Sequence, residues 1–164
     1  MMSKGKWINL TFAMIVLNGL MGLSCRKESN PADSTGQDPN VTSMASIEVT
    51  ARLTEIPEGA IFKRELYNYA TVLKYDVLKV HRGQVAAETI YVGHYNPFKP
   101  RSEAADKQVP GIGGTLTSFR SGQIHRMAME VPIDDYFMGG IIHKYFGKFD
   151  GPVYWAVWTN EVTK

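Results

Sequence analysis

One cysteine and four histidines are the side chains of this 164-residue chain best suited to nucleophilic or metal chemistry. The cysteine, Cys25, could be a nucleophile, a metal ligand, half of a disulfide or a point of covalent attachment. A disulfide needs a second cysteine, and the sequence has none. A nucleophile needs a base in an ordered pocket, whereas Cys25 lies between an apolar run and a polar one. Covalent attachment is therefore the favoured interpretation.

The histidines do not occur at the close spacings by which one strand or helix presents two ligands to a metal ion. They are His81, His94, His125 and His143. His94 and His125 follow the alternation of apolar neighbours in two predicted strands, so we expect both to point toward the core as satisfied buried residues. The alternative is an envelope enzyme or metal-binding protein that uses His94, His125 and an acidic residue such as Asp76.

Signatures of hydrolases and nucleotide-binding proteins are missing from the sequence. It contains no GxSxG elbow, no HExxH helix and no P-loop, and its GIGG stretch lacks a strand-loop-helix context. Asp134 and Asp135 are adjacent, so on a strand their carboxylates would diverge, and on a helix they would be typical amino-terminal residues. We therefore predict no enzyme activity, no cofactor and no metal.

Aromatic side chains are the best candidates for recognition, because exposed rings stack on sugars or anchor protein partners. Four of them lie on the predicted strand faces opposite the assumed core: Tyr91, Tyr95, Tyr154 and Trp158. We favour the alternative that the segment YFMGGIIHKYF, residues 136–146, packs over this face and buries them.

The first 24 residues differ in composition from the rest of the chain. Lys4 and Lys6 precede an apolar run from Trp7 to Leu23, and no acidic residue occurs before Cys25. A basic start, a short apolar stretch and a small residue before a break are typical of a secretory signal peptide. As a lone membrane span the run is marginal, because it contains two Asn and two Gly.

The end of this run, GLSC, resembles the lipobox of bacterial lipoproteins, in which a small residue precedes an invariant cysteine. Ser24 fits the small position, whereas Gly22 stands where the family usually has Leu. The resemblance implies cleavage after Ser24, diacylglycerol on the Cys25 sulfur and acylation, for example with palmitate, of the new amino terminus. It also implies an exported protein that these acyl chains hold on a bacterial membrane, the outer membrane in a Gram-negative cell.

Processing would also change the charge balance. Removal of Lys4 and Lys6 takes the 18 basic groups to 16, equal to the 16 acidic groups, so the excess of +2 belongs to the precursor. We therefore expect no nucleic-acid partner. Residues 26–45 are polar and contain two Pro, which predicts a lipidated cysteine and flexible tether over 25–45. A β-rich globular domain is predicted over 46–164.

Five stretches of this domain carry strand patterns. SIEVTARLTEI, residues 46–56, alternates apolar and polar residues. In YATVLKYDVLKVHRG the apolar phase flips at Val77 and Leu78, which predicts a β-bulge that keeps both halves turned inward. The other three are ETIYVGHYNP, GQIHRMAMEVP and PVYWAVWTNEV. Residues 97–121 form a long loop able to gate or line a site, and residues 134–149 are ambiguous between helix and coil.

The predicted fold is mainly β, a small five-stranded barrel or sandwich with at most one short helix. The stretch YDVLKVHRGQVAAETIYVGHYNP resembles small secreted β-barrel domains of the OB and netrin-like type, and the resemblance covers residues 47–96. It implies a binding module more than an enzyme. We therefore expect an envelope lipoprotein that binds a protein or a polysaccharide.

Overall fold

Within the residues that the structure describes, the fold consists of six strands and one short helix. The computed structural model describes residues 38–60, 68–99, 109 and 111–163, so the predicted leader, Cys25 and most of the predicted tether lie outside the described residues. The elements are α1 (Pro39–Ser43), β1 (Ile47–Glu55), β2 (Tyr69–Arg82), β3 (Thr89–Tyr95), β4 (Ile124–Glu130), β5 (Gly140–Ile142) and β6 (Val153–Glu161), with a 3-10 turn at Ile133–Asp135.

Five of the strands close into a barrel. Their order is β1-β4-β6-β3-β2, and β2 pairs back with β1 to complete the circle. β3 and β6 are parallel, and the other neighbours in the barrel are antiparallel. β5 lies parallel to the start of β2, outside the barrel. The predicted mainly β, five-stranded barrel with one short helix is confirmed, and its architecture is compatible with an OB-like fold.

The predicted irregularity in β2 is present, but its consequence differs from the prediction. The register against β1 skips Leu78, which lies between the paired residues Val77 and Lys79. Leu78 and Val80 nevertheless remain exposed, so the expectation that both halves turn inward was wrong. The reason is that the pairing of β2 with β3 ends at Asp76, and beyond that point only β1 accompanies the strand.

The interior of the barrel is filled by alternate side chains of all five barrel strands, as the apolar patterns predicted. The buried set includes Val49, Leu53, Leu73, Ile90, Val92, Met127, Met129, Tyr154 and Ala156. Leu116 and Phe119, from the connection between β3 and β4, complete it. The described part of the predicted long loop therefore supplies core side chains.

A second apolar cluster lies on the outer face of the barrel, under the connection between β4 and β6. We call this connection, residues 131–152, the strap. Its side chains Ile133 and Phe137 pack against Tyr95 and Trp155 of the barrel wall. Gly93 permits this close approach, because a Cβ there would lie 2.3 Å from Ile133 Cδ1. The ambiguous segment 134–149 forms a turn and the short β5 instead of a helix.

Helix α1 fastens the amino-terminal side of the domain to the barrel. Asp38 caps the helix by accepting a hydrogen bond from the Asn40 backbone N–H at 2.9 Å. Its other oxygen accepts from Trp158 Nε1 at 2.9 Å and from Asn160 Nδ2 at 2.7 Å. Val41 is fully buried. Through Asp38 and Val41, α1 is therefore packed against the barrel.

A buried ion network holds the same region. Arg126 donates to Glu48 Oε1 through Nε at 2.8 Å and through Nη2 at 2.5 Å. Arg82 Nη1 lies 3.3 Å from the second Glu48 oxygen, and Arg82 Nη2 donates to the carbonyls of Met44 and Ala45 at 2.6 and 3.1 Å. Buried charges are tolerated only when they are paired in this way. The network therefore connects the end of α1 to β1, β2 and β4.

We predict that Asp38→Ala lowers the free energy of unfolding at pH 7 by about 1–2 kcal/mol, the usual effect of losing a helix cap and its hydrogen bonds. Burial raises the Asp38 pKa, but hydrogen bonds from Asn160, Asn40 and Trp158 outweigh it and hold the pKa below its ordinary 3.8. Because the folded-state pKa is lowered, this stabilisation is complete well above pH 3.8 and is lost as the pH falls through the folded-state value.

Urea denaturation of the wild type and Asp38→Ala from pH 7 toward pH 3 measures this difference. The difference in unfolding free energy between the wild type and Asp38→Ala should become smaller toward pH 3. The exposed control Asp150→Ala should have the stability of the wild type at every pH. A difference that stays constant with pH would show that the carboxylate charge is not what holds the helix.

Candidate functional site

The four aromatic residues singled out in the sequence do not share one surface. Tyr91, Tyr95 and Trp158 lie on the outer face of the barrel, but Tyr154 belongs to the interior core. A bulge in β6 explains the difference, because the register against β4 skips Val157 and so reverses the alternation between residues 154 and 158. The regular alternation of side chains along a strand therefore predicted the wrong face for Tyr154.

The strap covers two of the outer rings, as the favoured alternative predicted. Tyr95 is buried and meets Phe137 edge-on at a centroid distance of 5.6 Å. Tyr91 is stacked on Phe149 at 3.8 Å with an interplanar angle of 13° and lies 4.9 Å from Tyr145. Ligand binding by the four aromatic residues stays a prediction. Of the four, Tyr91 and Trp158 are partly exposed, and a ligand needs such exposed surface.

Trp158 is the outer aromatic residue that the strap does not cover. Its indole N–H donates to Asp38, and its ring lies against Gly113, where a Cβ would come within 2.6 Å of the ring. This side chain therefore joins α1 and the β3–β4 connection to β6.

His94 and His125 both point into the barrel, as their parity predicted, and both are buried. The Tyr75 hydroxyl lies between them, 3.0 Å from His94 Nε2 and 3.0 Å from His125 Nδ1. Phe119 packs edge-on against both imidazoles, with centroid distances of 4.7 and 5.5 Å. A hydroxyl has one hydrogen, so Tyr75 can donate to at most one of the two imidazoles and must accept from the other.

Asp76 does not join this pair. It is exposed on the opposite side of β2, where it accepts a hydrogen bond from Thr89 Oγ1 at 3.0 Å. Among the described residues, no group of three or more His, Cys, Asp or Glu side chains is arranged to hold a metal ion. The arrangement the structure does show is a polar contact inside the core, which orients Tyr75 and the two histidines.

The most exposed apolar side chains of the described residues lie on the strap. Met138 is 94% exposed, Phe146 84% and Tyr136 50%. Phe137, Ile141 and Tyr145 occur at helical spacing in the sequence and lie on the buried side of this segment, although it forms no α-helix. The exposed residues are apolar side chains of the same segment that fall outside this spacing. Their position outside the buried repeat is the sequence signal that could have identified them.

Two clefts adjoin these side chains. The first, the Met138 cleft, has a volume of about 380 Å³ and is lined by Asn68, Tyr95, Tyr136, Phe137 and Met138 among others. The second, the His143 cleft, has a volume of about 270 Å³, and its lining includes Pro132, Asp134, His143, Phe146, Phe149 and Pro152. Both are concave surfaces in which apolar groups predominate, the usual character of binding sites.

His143 has an electrostatic environment that keeps it neutral near pH 7. Partial burial lowers the pKa of its imidazole, and the Asp134 carboxylate offsets only part of that effect. Its ring lies 5.9 Å from that of Phe146 and 5.7 Å from that of Phe149. Burial likewise raises the pKa of Tyr145, with the Glu55 carboxylate acting in the same direction. Neither side chain therefore brings a charge to the strap at neutral pH.

Comparison of the chain with protein-family models, with curated proteins and with solved structures finds no match. In the described part of the chain, no helix is both long and apolar enough to span a bilayer. The fold and the candidate site together define a class: a small closed β-barrel, compatible with the OB-like architecture, that carries exposed apolar side chains and two clefts on an outer strap.

Replacing Tyr75 with Phe tests the internal contact. The change keeps the ring but removes the hydroxyl that serves two buried imidazoles, so we expect the free energy of unfolding to fall by about 1–3 kcal/mol. Chemical denaturation monitored by tryptophan fluorescence gives this value. The control is Tyr136→Phe, which removes a hydroxyl from an exposed ring and should leave stability unchanged. A Tyr75→Phe protein as stable as the wild type would mean that the hydroxyl contributes nothing to the core.

Proposed function

We propose that this protein is a lipid-anchored, non-catalytic binding module of the bacterial cell envelope whose strap binds a protein partner. The observation that carries the proposal is the exposure of Tyr136, Met138 and Phe146 on one connection. Several large exposed apolar side chains on one connection are unusual on a protein surface and indicate an interaction site. Methionine and aromatic residues are also enriched at the centres of protein interfaces.

The packing beneath the strap supports the same proposal. Phe137 is stacked on Trp155 at 4.7 Å, and β5 pairs with the first residues of β2. The backbone that carries the exposed side chains is therefore attached to the barrel wall at several points. A site held in place before binding loses less conformational entropy when a partner docks.

A glycan would use this surface differently. Sugar rings stack on aromatic faces and need hydrogen-bonding groups for their hydroxyls, so a glycan would engage Phe146 and its polar neighbours and leave Met138 unused. The exposure of Met138 favours a protein partner, and a glycan is the competing outcome of the experiment below.

The lipid anchor is proposed from the leader and GLSC, and Cys25 gives it a direct test. In cells fed a labelled fatty acid, Cys25→Ala should abolish labelling and leave an unprocessed precursor, because the acylated sulfur is missing. Met138→Asp is the matched control and should be labelled and processed like the wild type. Labelling that persists without the cysteine would overturn the proposed anchor.

Site-specific crosslinking in cells tests the partner surface. A diazirine-bearing residue at position 146 should give a crosslinked protein that is lost when Met138→Asp is introduced, because a carboxylate opposes docking of an apolar interface. A diazirine at exposed Lys79 should not capture this protein, and Lys79→Asp should leave the crosslink at position 146 intact. A crosslinked species that contains sugar and no second protein would instead identify a glycan ligand and overturn the protein-partner proposal.

A further inference from the structure

We propose that the His143 cleft binds an organic ammonium group, stabilised by two phenylalanine rings and by the carboxylate of Asp134. This inference concerns a ligand chemistry that the apolar partner surface does not require. It rests on three properties of the cleft: its aromatic walls, its charge and the small number of hydrogen-bonding side chains in its lining.

The aromatic walls are formed by Phe149, which is packed on the barrel, and by Phe146, which is largely exposed. Phe149 is stacked on Tyr91 at 3.8 Å, so one of its faces is covered and the rest of the ring is what lines the cleft. The ring of Phe146 meets His143 at an interplanar angle of 86°, and the His143 ring is at comparable distances from Phe146 and Phe149, 5.9 and 5.7 Å. The negative faces of such rings attract cations within about 6 Å of their centres.

The charge of the cleft is negative. Asp134 is the only acidic residue among the described residues that line it, and none of those lining residues is Lys or Arg. His143 does not oppose a cation at neutral pH, because burial lowers the pKa of its imidazole. A bound ammonium group would therefore meet one carboxylate and no competing positive charge from the lining.

The remaining lining favours a compact cation over a neutral sugar. Apart from Asp134 and His143, the side chains are those of Pro, Phe, Gly and Val. A sugar ring would bring several hydroxyl groups that these side chains cannot satisfy, and polar groups buried without partners are costly. An ammonium group on an alkyl chain needs only the carboxylate, the rings and apolar contact, within a volume of about 270 Å³.

Titration of the full-length chain in detergent micelles with n-butylammonium chloride, followed by NMR of the aromatic side chains, tests this site. We expect saturable shifts at the rings of His143 and Phe146. The neutral probe n-butanol, which has the same alkyl chain, should bind more weakly. Equal binding of both probes, or ammonium-induced shifts confined to other parts of the protein, would overturn the proposal.

Two variants divide the contributions of charge and ring. Asp134→Asn keeps the shape of the side chain, and Phe146→Leu keeps an apolar group without the ring; each should weaken n-butylammonium binding about two- to fivefold. Asp135→Asn, which removes the neighbouring carboxylate from outside the cleft lining, is the matched control and should bind like the wild type. Equal effects of Asp134→Asn and Asp135→Asn would indicate general surface charge and would contradict the site.

The source of the ammonium group is decided by two further probes, Nα-acetyl-lysine amide and glycerophosphoethanolamine. Tighter binding of the first would assign the cleft to a lysine of a protein partner, and tighter binding of the second to a lipid headgroup. Failure of both would overturn a biological role for the site. Met138→Asp should leave binding of either probe unchanged, because Met138 lines the other cleft. Phe146 belongs to both sites, so this variant is what distinguishes failure of the partner surface from failure of the cleft.

Discussion

Closure of the barrel through β2 is the constraint on which the rest of the structure depends. This strand pairs with β3 over residues 70–76 and with β1 over residues 74–82, so one continuous segment joins two walls. Closure removes the unpaired edges of the barrel, and it also determines what lies inside and outside. Tyr75, His94 and His125 meet within the small interior because three different strands turn those side chains toward the same axis. The outer face of β3 and of the first residues of β2 is left apolar, and the strap packs against it.

Much of this fold could be predicted from local patterns. Alternation located the five barrel strands, the phase flip at Val77 and Leu78 located the bulge, and parity placed His94 and His125 inside. The predictions that failed concern residues whose orientation depends on strand pairing with distant parts of the chain. The skipped Val157 in β6 appears only in its register against β4, so nothing in the local sequence revealed that Tyr154 and Trp158 would face opposite ways. The prediction that Leu78 turns inward failed because β3 begins at Thr89, opposite Asp76, and does not extend alongside Leu78.

The candidate site was harder to predict for the same physical reason. The polar composition of residues 26–45 is typical of a tether, yet Asp38 gains a helix, an indole and an amide as partners once β6 is in place. In the strap, Gly139 and Gly140 argue against a helix, and the sequence offers no alternative template for the segment. Its conformation is determined by Tyr91, Tyr95, Trp155 and the close approach at Gly93, which come together only after the barrel has formed.

The two ends of β6 hold different parts of the structure. Its carboxyl-terminal half, through Trp158 and Asn160, holds Asp38 and the start of the described chain. Its amino-terminal half, through Trp155, supports the strap. Helix α1 is therefore attached at one end of β6, while the strap packs on the face formed by the start of β2, β3 and the start of β6. These attachments use different side chains: Asp38 and the Glu48 ion network at one end, and the aromatic contacts of Trp155 and Tyr91 at the other.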